Sequence, residues 1–157
     1  MKVIFLDVDG VLNWRGSKSR CAGYKGIDDD KVKLLKEIVI KTNAKIVLCS
    51  SWKEFWWPIE KECQDEFANY LDRKLKKQNL YIFDRTYDLG WDRGEGICNW
   101  LENKNVESWI VLDDEIFDDY ERFGIMSHLV KTEFYEKDGG GLKPEHVEKA
   151  IKLLNGE

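Results

Sequence analysis

The chain has 157 residues, 43% hydrophobic and 35% charged, with a net charge of −5; that is the length of one domain with a real core, so 1–157 reads as a single domain. The acidic balance argues against a whole-surface nucleic-acid binder, though not against a local basic patch. No apolar run approaches the roughly 18–20 residues of a membrane span, and the apolar start is too short for a signal peptide.

Apolar runs alternate with helical patterns. Strands are predicted at Lys2–Leu6, Lys45–Cys49, Leu80–Phe83, Trp109–Leu112 and His128–Lys131. The first helix is predicted from about Asp29 to Ile40, with Val32, Leu35, Ile38 and Val39 on one face. A second runs from about Ile59 to Lys77, with Ile59, Cys63, Phe67, Tyr70 and Leu71 at helical spacing. A third opens on a capping-box pattern, Asp92 with Glu95, and the last starts at Pro144, a favoured first helical position. Such alternation implies a parallel sheet of about five strands with helices on both faces, and ligands at the carboxyl ends of the strands. The run Gly139-Gly140-Gly141 reads as a plain loop.

Cys21, Cys49, Cys63 and Cys98 lack paired metal-ligand spacing, which argues against a zinc site or disulfide framework and fits a reducing cytoplasm. His128 and His146 lie far from any motif, so a Ser-His-Asp or Cys-His engine is disfavoured.

The chemistry concentrates at strand ends. Asp7-Val8-Asp9-Gly10-Val11 follows the first strand. Side chains two apart on a strand share a side, so Asp7 and Asp9 face one site. Two such carboxylates repel unless a cation or a proton lies between them, which points to Mg²⁺-dependent phosphoryl transfer. Ser50-Ser51 ends the second strand, Asp113-Asp114 ends another, and Arg93 opens the helix before it. Each has an ordinary explanation as a cap or a surface pair; together, at one sheet edge, they are far more specific.

In this order the motifs resemble those of the haloacid dehalogenase (HAD) superfamily of phosphatases and phosphotransferases, over nearly the whole chain. The wording Leu6-Asp7-Val8-Asp9-Gly10-Val11-Leu12, Ser50-Ser51-Trp52-Lys53 and Leu112-Asp113-Asp114 is most similar to small HAD domains associated with RNA-repair-like proteins. The resemblance implies a three-layer Rossmann-like fold and an aspartyl-phosphate phosphomonoesterase. Asp7 would be the nucleophile and Asp9 the acid and base. Mg²⁺, suited to an all-oxygen site, would be held by Asp7, the Asp9 carbonyl and Asp114, with Asp113 the alternative ligand and Asp118 a supporting residue. Ser50, or Ser51, would bind a phosphoryl oxygen near Gly10; Arg93, with Lys53 or Lys143 as alternatives, would offset its charge.

The gaps where relatives carry caps are short, implying a minimal or absent cap. The site would then be open to bulky phosphates or closed by a partner subunit, though no obligate protein partner is evident. The loop from Trp14 to Gly26 carries Arg15, Lys18, Arg20 and Lys25 with Trp14 and Tyr24 and no acid, which suits phosphate contact and base stacking as well as a solvated flap. Trp56 and Trp57 read as core, while Trp52 and Lys53 remain open as substrate contacts. Arg73, Lys74, Lys76 and Lys77 read as a solvated helix end. The expected substrate is a nucleotide or a nucleic-acid terminal phosphate. The alternatives are a non-catalytic phospholigand-binding module, which intact Asp7, Asp9 and Ser50 argue against, and a metal-dependent nuclease. A receiver domain would carry its acidic pair first rather than late.

Overall fold

A computed structural model describes residues 1–88 and 91–157. Its main sheet has five parallel strands in the order β5-β4-β1-β6-β7. These are β1 (Lys2–Leu6), β4 (Lys45–Leu48), β5 (Ile82–Arg85), β6 (Ser108–Asp113) and β7 (Leu129–Lys131), while β2 (Arg20–Cys21) and β3 (Tyr24–Lys25) form a separate antiparallel hairpin. The helices are α1 (Asp29–Thr42), α2 (Glu66–Lys76), α3 (Arg93–Leu101) and α4 (Pro144–Asn155). The parallel sheet with helices on both faces expected from the alternation is present, in the α/β Rossmann-like architecture that the resemblance implies.

The period-2 alternation of β1 divides the core. Ile4 and Leu6 pack with Leu35 of α1, Leu71 of α2 and Ala150 of α4. Val3 and Phe5 point the other way, toward Ile97 and Trp100 of α3, with Tyr120 and Ile125. The central strand is thus buried on both faces, as a near-continuous apolar run requires.

Register brings the strand ends level. Leu6 pairs with Leu48 on one side and with Leu112 on the other. Asp7 N–H donates to the Leu112 carbonyl at 2.9 Å, Cys49 N–H to Leu6 at 3.0 Å, and Thr132 N–H to Asp113 at 3.0 Å. Asp7, Ser50 and Asp113-Asp114 therefore leave the sheet at one edge.

Two predicted boundaries shift and one predicted cap does not form. The second helix begins at Glu66, not near Ile59, because the Asp65 side chain accepts from Ala68 N–H at 2.8 Å and caps it there. Before it lies only a 3₁₀ turn at Lys61–Cys63, and Ile59 is 86% exposed despite its helical spacing. The third strand moves to Ile82–Arg85 because Leu80 N–H donates back to Leu75, closing the helix end. The capping box at Asp92 does not form, and another residue caps α3, as described below. Trp56 is core and Trp57 half-buried, and Lys74 pairs with Asp29. All four cysteines are free. Among the described residues no helix is long and apolar enough to cross a membrane.

Candidate active site

Asp7 extends β1 into a pocket of charge. Its carboxylate lies 3.2 Å from Arg93 Nη1, which donates at 2.9 Å to Asp113 Oδ2. Tyr120 OH donates to the same Asp113 oxygen at 2.6 Å, and Glu115 N–H donates to Asp113 Oδ1 at 3.0 Å. Burial and the neighbouring Asp113 carboxylate push the Tyr120 phenol up, so it stays a donor. Asp113 is fully buried with both oxygens engaged, whereas the Asp114 side chain is half-buried.

Asp7, Asp113 and Asp114 present carboxylate oxygens within 4.8 Å of one another. Burial, then the charge of Asp113, raises Asp7 well above the ordinary carboxylate range. Burial likewise brings Asp114 up to about 6. Acidic side chains gathered this closely repel one another unless a proton or a cation lies between them. An all-oxygen cluster of this kind fits a hard divalent cation. Gly10 makes room for it: its φ is +86°, and a Cβ there would overlap the Asp114 carboxyl group. Both conditions select glycine.

Asp9 is oriented separately. Asn13 Nδ2 donates to Oδ1 at 2.8 Å and Trp52 Nε1 to Oδ2 at 3.0 Å. Asn13 is itself fully buried, accepts from Gly10 N–H at 2.9 Å and donates to the Gly26 carbonyl at 2.8 Å. It ties the motif to the root of the hairpin. The Thr132 hydroxyl donates to the Gly10 carbonyl, fixing the same turn from β7.

Ser50 is buried at the end of β4, and its hydroxyl accepts from Trp52 N–H at 3.2 Å; Ser51 is exposed beside it. Lys53 is buried and paired with Asp88 and with Thr86 at 3.0 Å. Burial lowers its pKa against the opposing pull of Asp88. Arg93 is buried at the first position of α3, and among the described residues its Nε has no hydrogen-bond partner. A buried donor left open on a guanidinium already facing Asp7 is suited to an oxyanion.

Asp119 caps α3, accepting from Gly94 N–H at 3.0 Å and Glu95 N–H at 2.9 Å. Gly94 permits this approach, since a Cβ there would stand 2.7 Å from Asp119 Oδ1.

The basic loop divides. Trp14 and Arg15 border a hollow with Tyr135 and Lys137, the Arg20 guanidinium donates to the Ser17 and Ser19 carbonyls, and Lys18 is exposed. Tyr24 and Lys25 instead line a 640 Å³ cleft that also contains Asp9 and Trp52. Lys143 stands at the head of α4, bonded to His146, and Asp118 is exposed. The sequence motifs assign no site role to Asn13, Tyr120, Asp119, Phe67 or Phe134; only Asn13 carries a local signal, four residues beyond Asp9.

No curated protein and no solved structure matches the chain. A family model described as "HAD domain in Swiss Army Knife RNA repair proteins" matches residues 3–147. HAD domains are hydrolase scaffolds that generally use a divalent metal, consistent with the acid cluster at this sheet edge. The match spans almost all of the sequence and every strand of the main sheet except the first residue of β1, so the chain belongs to the family of HAD domains in Swiss Army Knife RNA repair proteins.

Proposed function

We propose that the protein is a Mg²⁺-dependent phosphomonoesterase acting through an aspartyl-phosphate, on a nucleotide or a nucleic-acid terminal phosphate. The observation that carries this reading is the Asp7–Arg93 pair: a buried carboxylate at a strand end, facing a buried guanidinium whose Nε is open among the described residues.

The chemistry then divides between two carboxylates. An Asp7 oxygen attacks phosphorus as the bond to the leaving oxygen breaks, and Asp9 gives that oxygen its proton. Asp9, now ionised, takes a proton from water; the water oxygen attacks phosphorus, the Asp7–phosphate bond breaks, and inorganic phosphate leaves. Asn13 and Trp52 hold the Asp9 carboxylate for both transfers. Arg93 and the Ser50 hydroxyl hold phosphoryl oxygens, with charge complementarity supplying most of the stabilisation.

Asp7, the Asp9 backbone carbonyl and Asp114 would hold Mg²⁺. Asp113 is better suited to fixing Arg93, because its oxygens already accept from Arg93, Tyr120 and Glu115. When bound, the cation neutralises the carboxylates and polarises the phosphoryl group. The RNA-repair setting of the family supports a nucleic-acid end as substrate.

The test is phosphate release with Mg²⁺ from an aryl phosphate, mononucleotides, and 3′- and 5′-phosphorylated oligonucleotides. Release from terminal phosphates is expected. Chain cleavage without it would indicate a nuclease, and tight binding without turnover a recognition module.

A further inference from the structure

The cleft beside the acid cluster is built mainly of rings. Tyr24 comes from the hairpin, Trp52 and Phe55 from the segment after β4, Phe67 from α2 and Phe134 from the loop after β7. Phe67 stands edge-on to Trp52 at 5.6 Å and is inclined to Tyr24 at 5.9 Å between centroids. Trp52 and Phe67 are half-buried and fixed by this packing, whereas Tyr24 is 70% and Phe55 49% exposed. The 640 Å³ volume falls in the roughly 300–1,000 Å³ range of small-molecule sites.

Position gives the cleft its meaning. Asp9 is in its wall and would protonate the leaving oxygen, so the cleft offers the organic part of a phosphoester a path from Asp9 along these rings. Charge narrows the occupant further. Asp9, Glu54 and Asp65 face Lys25 alone among the lining residues, so the cleft repels further phosphate groups. Ser51, Lys25 and Glu54 supply a donor and acceptors for a polar ring edge. A flat, uncharged heteroaromatic ring meets all of these conditions.

We infer that this cleft holds the nucleobase of the nucleotide bearing the scissile phosphate, stacked on Tyr24 and Phe55 against the fixed wall of Trp52 and Phe67. The inference rests on the phosphomonoesterase reading and adds to it a base-recognising subsite. It accepts a nucleoside monophosphate end, with any continuing strand leading away from the acidic rim.

The test measures binding and turnover separately. With Mg²⁺ present, calorimetry compares nucleoside 5′- and 3′-monophosphates with ribose 5-phosphate, a nucleoside diphosphate and phosphotyrosine. The monophosphates should bind about 10-fold more tightly than ribose 5-phosphate, the effect of one stacked base, and more tightly than the diphosphate. In Tyr24→Ala with Phe55→Ala this preference should fall toward unity, and in Tyr24→Phe it should persist. Equal binding of monophosphate and ribose 5-phosphate overturns the inference. So does a preference untouched by the double substitution, or phosphotyrosine outranking every nucleotide. Phosphate release is assayed on the same set: base-dependent binding without release from any substrate refutes the hydrolase reading while upholding the cleft.

Discussion

Replacing Asp119 with alanine should damage both stability and catalysis, although Asp119 is not placed against phosphate. Its buried carboxylate accepts from Gly94 and Glu95 N–H at the start of α3, at 3.0 and 2.9 Å. Hydrogen bonds to a charged group contribute about 1.5 kcal/mol each at the low end, so losing both costs about 3 kcal/mol. A chain of this size shifts by ~2–4 °C per kcal/mol, giving a fall in Tm of ~6–12 °C by differential scanning calorimetry. The same loss frees the first turn of α3, where Arg93 sits, so kcat should fall by about 10-fold or more with KM less affected. Asp119→Asn retains one acceptor and should lose roughly half as much stability as Asp119→Ala. Gly94→Ala, whose Cβ would crowd Asp119 Oδ1, should be destabilising alone and nearly silent on the Asp119→Ala background. A Tm shift under ~2 °C, or additivity of the two substitutions, would refute the capping argument.

Asp7→Asn should abolish phosphate release while leaving the metal-free Tm unchanged or higher, because it removes a buried charge crowded by Asp113 and Asp114; near-normal turnover would remove Asp7 as nucleophile. Trp52→Phe deletes the indole N–H on Asp9 Oδ2 but keeps a ring, so kcat should drop several-fold with the fold intact, as judged by near-UV circular dichroism. The pH dependence of metal-free stability follows from the raised carboxyls. Asp7 and Asp114 hold protons in the folded state at pH values where the unfolded chain has lost them. Their stabilising contribution is therefore present below the usual carboxylate range and fades as pH rises through about 6 for Asp114. Added Mg²⁺ should raise Tm more at pH 7.5 than at pH 5, and equal increments would contradict this. Gly10→Ala should weaken Mg²⁺ binding measured by calorimetry, since the new methyl group displaces Asp114; unchanged affinity would argue against Asp114 as a ligand.

The sheet and the acid cluster were legible because their signals are local. An apolar run ending in Asp7-Val8-Asp9-Gly10 states both the strand and what lies at its end, and parallel register then aligns Asp7 with Asp113. The cap on α3 was not legible in this way. A carboxylate 25 residues away does the work that Asp92 advertises, and no periodicity links the two. The cleft was hidden for a related reason. The hairpin turns at Ala22-Gly23, with φ of 50° and 84°, rather than at an Asn-Gly pair. That turn sets Arg20 opposite Lys25 and Cys21 opposite Tyr24, and the structure places Tyr24 and Lys25 in the cleft while the Arg20 guanidinium folds onto its own loop. The start of α2 was misplaced because Ile59 and Cys63 keep helical spacing with Phe67, while the Asp65 cap, a single side chain, decides the boundary.

The cleft also bears on how such a protein changes over generations. Ser50 and Asp113 continue strands with no exposed surface of their own, so altering them is felt throughout the core. Tyr24 stands largely and Phe55 about half in solvent, on segments outside the main sheet, and replacing them leaves no closed cavity behind. On the proposed function, selection could therefore retune which ligand is welcomed at almost no folding cost, while the chemistry of the acid cluster stayed locked to the architecture. Duplicated copies of this chain would be free to part ways in diet long before they parted in chemistry.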